Sequence, residues 1–245
     1  MTNSYTTNAI NIKSYNLNEA DKIVVMYSKE YGIIRCVAKG TKKPNSKLGG
    51  RMDMLMANKL LIFKGKSLDI VSQADVLDMF KNIRRDITKL TYSMYCTELI
   101  NIFGLENDTN SELIYNLFLN TLKNIDKSNT KAQTLFFTVR FQLMLMELSG
   151  YALELDTCVK CNRDIEKELF YFCISSGGII CPECAEFEEK NLDFDKNARN
   201  ILKNIKYNTE NNSFNDFDLT LCFNLLKDYI SSHSHKKMKS IDVME

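Results

Sequence analysis

The sequence contains no apolar stretch that approaches the length required by a membrane-spanning helix. The segment from Met1 to Asn11 is polar and has no apolar core, so it does not resemble a secretory signal. The composition, 44% apolar and 26% charged over 245 residues, is that of a soluble globular protein. We therefore expect a cytoplasmic protein that does not associate with membranes.

Histidine is nearly absent, since His233 and His235 are the only two, and each stands in a sequence without a nearby glutamate. The H-E-x-x-H pattern of metalloproteases and the H-x-E of zinc deaminases are therefore missing. Phosphate-binding loops are missing as well, because Gly65-Lys66-Ser67 lacks the glycine five residues upstream. These absences disfavour a zinc-dependent hydrolase or deaminase and a nucleotide hydrolase, and we expect a protein that is not an enzyme.

Cysteine, in contrast, is abundant and patterned. Two C-x-x-C pairs, Cys158 with Cys161 and Cys181 with Cys184, are separated by nineteen residues. Cytoplasmic cysteines remain reduced, and two such pairs supply the four thiolates of a tetrahedral Zn²⁺ site, which is normally structural. The alternative is a set of free cysteines buried as small apolar residues. That interpretation suits the other four better: Cys36, Cys96, Cys173 and Cys222.

The segment between the two cysteine pairs predicts a hairpin. An aromatic run at residues 170–174 is followed by the turn Ser175–Gly178 and by a second apolar pair, Ile179 and Ile180. Such a hairpin would bring Cys181 back beside Cys158. The sequence therefore predicts a Cys₄ zinc ribbon at about residues 155–188.

The first part of the chain reads as short strands. Ile10 and Ile12 alternate with polar residues, and four further runs are rich in apolar residues or separated by compact turns: Lys22–Ser28, Ile33–Ala38, Leu60–Phe63 and Leu68–Val71. Five short strands with no long helix between them favour a small closed barrel such as an OB-fold over residues 1–78. A fragment of a β-sandwich is the alternative.

After about Val76 the apolar period becomes helical and continues to the end of the sequence. Ile83, Ile87, Leu90 and Met94 share one face of a helix that extends through Phe103. Ser111 and Thr130 can each cap a further helix, and two more patterns cover Asp195–Ile205 and Asp216–Ile230. We therefore predict an α+β protein, with an N-terminal five-stranded OB-fold barrel followed by an α-helical domain at residues 79–245 that contains the inserted Cys₄ zinc ribbon.

Positive charge is concentrated in the predicted barrel. Residues 1–80 carry twelve Lys/Arg against seven Asp/Glu, a balance of +5, whereas the remainder of the chain has a balance of −4. Five cations without a carboxylate fall within residues 39–51, where three glycines and a proline predict a flexible arm: Lys39, Lys42, Lys43, Lys47 and Arg51. Such a loop can contact a phosphodiester backbone without reading its sequence, or it can simply be solvated.

Aromatic residues that could stack on bases are not found in this loop. Four tyrosines lie in or near the predicted barrel: Tyr5, Tyr15, Tyr27 and Tyr31. The sequence allows either role for these tyrosines, stacking on bases or packing in the core.

The order of these parts resembles the RecO family of bacterial recombination mediators over nearly the whole chain. The resemblance is carried by short motifs along the sequence: Tyr15 with Glu19, Asp21–Val24, Tyr31-Gly32, Ala38-Lys39-Gly40, Lys64–Leu68, Ser149-Gly150-Tyr151, Gly177–Cys184 and Lys239-Ser240. In this family the loop is often rich in arginine, whereas here it is mostly lysine, so fewer bidentate phosphate contacts are expected. Members without the zinc cysteines exist, which implies that the metal is not needed for the shared activity.

The resemblance implies an OB-fold that binds single- and double-stranded DNA and anneals complementary strands. It also implies that the protein acts with RecR to load the RecA recombinase onto DNA covered by single-strand-binding protein, as a cytoplasmic, nucleoid-associated protein. A different class of function stands beside this one, a zinc-stabilised scaffold whose barrel binds protein and has no role with nucleic acid. A salt titration with an oligonucleotide separates the two, since the scaffold forms no salt-dependent complex.

Overall fold

The computed structural model describes residues 3–165, 170–186, 191–194, 196–207 and 214–234, together with 236, 238 and 240. The chain divides into two compact units, the first comprising Met1–Lys127 with Ser240–Glu245 and the second Ser128–Lys239. Among the described residues, no helix combines the length and the apolar character that crossing a bilayer would demand.

Five strands form a closed barrel at the start of the first unit, and they occupy β1 Ser4–Asn16, β2 Lys22–Ser28, β3 Gly32–Ala38, β4 Ala57–Phe63 and β5 Asp69–Asp78. The strands follow one another around the wall in the order β1-β2-β3-β5-β4. All neighbours are antiparallel except β3 and β5, which pair in parallel. This is a small five-stranded barrel of the predicted kind, and β2 has the predicted bounds.

The interior of the barrel is filled by the alternate residues of its strands. Val24 and Met26 of β2 face Cys36 of β3, and Leu60 and Ile62 of β4 complete this layer. Each of these side chains is fully buried. Alternation therefore fixes which residues point out of the wall, because neighbours along a strand point to opposite faces.

Two helices follow the barrel in the first unit, α1 Ile87–Phe103 and α2 Ser111–Lys127. The helical period was predicted to begin near Ile83, but Ile83–Arg85 is a 3₁₀ turn and Asp86 is extended. The Asp86 carboxylate accepts a hydrogen bond from the Lys89 N–H at 3.1 Å and caps α1. Placing Ile87 on a buried face was wrong, since it is 76% exposed.

The second unit is built on three helices that pack against one another, α3 Lys131–Leu148, α5 Lys196–Tyr207 and α6 Asp216–His233. Thr130 caps α3 as predicted, with its hydroxyl accepting from the Gln133 N–H at 3.2 Å. Asn215 caps α6 in the same way, since its side-chain oxygen accepts from the Asp218 N–H at 2.9 Å. Asp195, which was predicted to begin a helix, lies outside the described residues.

Between α3 and α5 the chain forms a small three-stranded sheet. Strands β6 Tyr171–Cys173 and β7 Gly178–Ile180 make the predicted hairpin, and the short helix α4 Pro182–Ala185 follows. The third strand, β8 Asn191–Asp193, pairs with the other edge of β6 and was not predicted. The structure thus confirms the α+β fold class, with a Cys₄ cluster in the C-terminal part of the chain.

Candidate nucleic-acid interface and metal centre

The basic loop, residues 39–51, leaves the barrel at the end of β3. Its four lysines, Lys39, Lys42, Lys43 and Lys47, are all exposed. Within the loop the chain folds on itself, since the Lys43 N–H donates to the Gly40 carbonyl and the Ser46 N–H to the Lys43 carbonyl, both at 3.2 Å. The four lysines therefore lie in or directly beside one compact turn and are exposed to solvent.

The N-terminal half of the basic loop is held by the turn between β1 and β2. Asp21 accepts the Gly40 N–H at 2.7 Å, and the Ala20 carbonyl accepts the Lys42 N–H at 3.1 Å. The hydrogen bond from Gly40, followed by one from Asn18, holds the pKa of the Asp21 carboxyl below its usual value. This anchor ties the loop to the turn at residues 17–21.

The C-terminal half is held from inside the barrel by two buried asparagines. The Asn11 amide donates to the carbonyls of Arg51 and Asp53, each at 2.8 Å, and the Asn58 amide donates to the same Arg51 carbonyl at 2.8 Å. Met52, directly after the loop, is fully buried in the barrel core. The sequence predicted a flexible arm, whereas the structure holds the loop at both ends. The turn at residues 17–21 binds its start, and the buried side chains of Asn11, Met52 and Asn58 hold its end.

Arg51 differs from the four lysines in what its side chain contacts. One guanidinium nitrogen donates to the Ala74 carbonyl of β5 at 2.5 Å. Its backbone carbonyl accepts from the two asparagines, so both ends of the residue bind the wall of the barrel. Arg51 retains further N–H donors for a ligand, since a guanidinium has five.

The structure distinguishes the four tyrosines that the sequence left open. Tyr27 is fully buried, and Tyr5 is half-buried, with its hydroxyl donating to Asp69 at 2.8 Å. Tyr31 packs edge-on against Tyr5 with ring centroids 5.0 Å apart and is 37% exposed. Tyr15 is the most open of the four at 48% exposed.

The four predicted metal ligands come together in the second unit. The sulfurs of Cys158, Cys161, Cys181 and Cys184 all lie within 4.8 Å of one another. The sulfurs of Cys161 and Cys181 are 3.8 Å apart, too far for a disulfide. Cys36, Cys96, Cys173 and Cys222 are buried elsewhere in the two units, as predicted.

This geometry fits a tetrahedral zinc ion. A metal–sulfur distance of about 2.3 Å places ligand sulfurs about 3.8 Å apart, which is the spacing of Cys161 and Cys181. Burial acts to raise the pKa of the Cys158 thiol, but N–H groups of Cys181, Cys161 and Lys160 donate to its sulfur and lower the pKa to about 6. Such donors favour the thiolate, the form that binds a metal.

The hairpin and the first cysteine pair are joined by backbone hydrogen bonds. The Val159 N–H donates to the Ile179 carbonyl at 2.9 Å, and the Ile179 N–H donates to the Glu154 carbonyl at 3.0 Å. Gly178 permits this approach, because a Cβ there would lie 2.5 Å from the Val159 side chain. The ribbon therefore brings Cys158 beside Cys181 as the sequence predicted.

Sequence reasoning missed the residue that holds the cysteine loop, residues 153–165, on helix α5. Arg199 is 6% exposed, and its guanidinium donates to the Leu155 carbonyl at 2.7 Å and to that of Ile165. One turn further along α5, Lys203 forms an ion pair with Asp156. The signal was present as cations four apart on an amphipathic helix, but a solvated face has the same pattern.

Family models match almost the entire chain. The model described as "Recombination protein O N terminal" covers residues 1–80, and the one described as "Recombination protein O C terminal" covers residues 84–242. The first match contains the barrel with its basic loop. The second contains the six α-helices of the described residues and the Cys₄ cluster.

Curated relatives agree with the family models. The DNA repair protein RecO of Desulforamulus reducens is 31% identical over 246 residues, covering 98% of this chain and 94% of the relative. That of Acetivibrio thermocellus is 33% identical over 208 residues, covering 85% and 81%. That of a Thermoanaerobacter species is 32% identical over 203 residues, covering 82% and 78%. The chain belongs to the RecO family of DNA repair proteins.

Proposed function

We propose that this protein is a recombination mediator that binds single- and double-stranded DNA through its barrel and anneals complementary strands. In this role residues 1–78 form the DNA-binding domain, and Lys39, Lys42, Lys43, Lys47 and Arg51 contact the phosphate backbone. The observation that carries the proposal is the display of four exposed lysines on a loop that is fixed at both ends.

The physical basis is neutralisation of phosphate charge. Each cation that engages a phosphate releases a condensed counterion, so affinity falls as salt rises. For a single strand contacted by all five residues, the log–log slope of affinity against salt is about −3.5, at about 0.7 per phosphate. Lysine contacts are point-like and read no sequence, which suits a protein that must hold any two complementary strands.

Fixing the loop lowers the entropy lost on binding. A free arm would have to be ordered when DNA binds, whereas this loop is already ordered by the hydrogen bond that Asp21 accepts and by those that Asn11 and Asn58 donate. Two strands held against the same cations repel each other less, so complementary bases meet more often. Annealing therefore follows from binding without any group that performs covalent chemistry.

The direct test is a charge-reversed variant with Lys39, Lys42, Lys43 and Lys47 changed to Glu. We expect loss of oligonucleotide binding and of strand annealing, measured by fluorescence anisotropy and energy transfer at several salt concentrations. The matched control reverses four exposed lysines elsewhere: Lys81, Lys127, Lys131 and Lys196. Equal loss in both variants, or retention in the first at low salt, would sink the assignment and favour the protein-binding scaffold.

Zn²⁺ is the metal that the four cysteines would hold, and its role here is structural. Four thiolates complete a tetrahedral shell and leave no position for a reacting water. The thiols of Cys158, Cys161, Cys181 and Cys184 would then brace the ribbon against its own cysteine loop. Metal content of one Zn²⁺ per chain, and its retention on DNA binding, is the expected result by mass spectrometry.

The partners proposed on the basis of the family are RecR, single-strand-binding protein and, indirectly, the RecA recombinase, in the cytoplasm at the nucleoid. These proposals rest on membership of the RecO family and assign no contact residues. Reconstitution tests them, since RecA filaments should form on covered DNA faster when this protein and RecR are both added. An unchanged rate would remove the mediator role while leaving DNA binding intact.

A further inference from the structure

One patch of the barrel wall lies open directly beside the basic loop. In the strand register Tyr15 of β1 is opposite Ile23 of β2, and Ile23 is opposite Val37 of β3. Their neighbours Val24, Cys36 and Ala38 point into the core. Tyr15, Ile23 and Val37 therefore form a row across three strands on the outside of the wall, which we call the outer row.

The opposite end of β2 and β3 is covered by another segment of the first unit, whereas the outer row stays partly exposed. There the Ile33 N–H donates to the Leu105 carbonyl at 2.9 Å, and Arg35 forms an ion pair with Glu106. The segment between α1 and α2 thus covers that end of the wall. In the outer row Ile23 and Val37 stay half-buried, and Tyr15 is 48% exposed.

Cations border the outer row. The Lys13 ammonium lies 4.9 Å from the centroid of the Tyr15 ring, and Lys39 begins the basic loop two residues after Val37. Two carboxylates on this side are already engaged, since Asp21 accepts from Gly40 and Asp53 is 3.5 Å from Lys22. The patch therefore places an exposed aromatic ring, which the Lys13 ammonium contacts, beside the cations of the basic loop. The Asp21 carboxylate balances part of that charge, since it interacts with Lys39 and Lys43.

We infer that Tyr15 stacks on an unpaired base of single-stranded DNA, which makes the outer row the element that favours single over double strands. The inference rests on the proposed function, because the basic loop must hold the phosphates first. Bases of a single strand are free to leave their stack and lie on an aromatic ring, whereas those of a duplex are paired and stacked. A loop of lysines contacts both forms alike, so discrimination has to come from a group that meets the bases.

The chain contains no tryptophan, which provides a direct test of stacking. Tyr15→Trp introduces a single tryptophan, and its fluorescence should be quenched by oligo(dT) with the same midpoint as binding measured by anisotropy. A blunt duplex and heparin, which carry charge without unpaired bases, should leave it unchanged. Phe217→Trp is the control, because Phe217 is 71% exposed on α6 in the second unit.

A second variant measures how much the ring contributes. Tyr15→Leu keeps an apolar side chain and removes the aromatic face, so affinity for oligo(dT) should fall about tenfold, which corresponds to roughly 1.4 kcal/mol and lies within the range for stacking one base. Affinity for the duplex and the salt slope should remain as in the parent.

The outcomes separate this inference from the proposed function. If the four-lysine variant loses both DNA forms while Tyr15→Leu changes neither, stacking is refuted and backbone binding stands. Equal weakening of both forms by Tyr15→Leu also refutes stacking, since it indicates a damaged loop. If the four-lysine variant binds like the parent, the proposed function fails, whatever Tyr15 does.

Discussion

The basic loop of the barrel and the cysteine loop of the ribbon are both irregular segments, but they direct their functional side chains oppositely. In the basic loop the lysines point to solvent, and neutral amides from Asn11 and Asn58 hold the backbone from within. In the cysteine loop the thiols of Cys158 and Cys161 converge with those of Cys181 and Cys184, and the cation Arg199 holds the backbone.

This difference follows from what each side chain must do. An exposed ammonium keeps its hydration and its charge until a phosphate replaces the water, so the charge must remain outside. Thiolates that share one ion must be brought within about 3.8 Å of each other, so the loop must turn inward. In each loop the side chains that hold the backbone from the core are buried, Asn11 and Asn58 in the first and Arg199 in the second.

Removing a metal ligand should have the largest effect of the changes to either loop, measured as a loss in the free energy of unfolding. Cys158→Ser would break the thiolate shell, and because zinc-finger peptides gain about 10–16 kcal/mol from their metal, we expect a loss of several kcal/mol in the second unit. Urea unfolding followed by circular dichroism, with zinc content measured in parallel, checks it. Cys173→Ala, a buried cysteine outside the cluster, should keep its zinc. Unfolding that is insensitive to both Cys158→Ser and chelation would contradict a structural metal.

Arg199→Met should have the next largest effect. It removes the donors to the Leu155 and Ile165 carbonyls and leaves buried acceptors without partners, at a cost of about 3 kcal/mol. The free energy of unfolding from urea titration measures this cost. Lys196→Met, an exposed change at the start of the same helix, should alter it little. If the two variants were equally stable, the guanidinium would not be the anchor of the cysteine loop.

Sequence patterns predicted the parts of this fold that depend on neighbours along the chain. The apolar, β-branched run at Lys22–Ser28, the cap at Thr130 and the spacing of Cys158 with Cys161 are all local, and each led to the element observed. The same local reasoning failed at Ile87, where a helical period continued across the break at Asp86.

The anchors of both loops could not be predicted, because they join residues far apart in sequence. Asn11 and Arg51 are forty positions apart, and Arg199 and Leu155 are forty-four apart. An asparagine in a strand or an arginine on an amphipathic helix has the same local pattern whether it is solvated or buried. Only the closed barrel and the packed helices determine which carbonyl each donor meets.

The anchor of the basic loop should be weaker than that of the cysteine loop, and Asn11→Ala measures it. Loss of the two hydrogen bonds to Arg51 and Asp53 should destabilise the first unit by about 2 kcal/mol. Oligonucleotide affinity should fall as well, because binding must then order the loop. Asn8→Ala, a half-buried change on the same strand, is the control for both measurements. Full DNA affinity in Asn11→Ala would show that the loop needs no anchoring from the core.

The smallest expected effect is the loss of the Asp21 anchor at the N-terminal end of the basic loop. Unlike the asparagine anchor at the other end, its contribution to stability depends on pH. Hydrogen bonds from Gly40 and then Asn18 lower the pKa of its carboxyl, so the native state favours the ionised form. The stabilisation is therefore present above the unfolded pKa of about 3.9 and is lost as pH falls through the lower folded value.

The difference in the free energy of unfolding between the parent and Asp21→Ala should thus be constant at neutral pH and shrink below about pH 4. Amide exchange of Gly40 should accelerate in the variant at neutral pH. Glu19→Ala, an exposed carboxylate in the same turn, controls for the loss of one negative charge. A difference that grew on acidification would mean that the protonated carboxyl holds the loop, and it would contradict the proposed role of the ionised carboxylate.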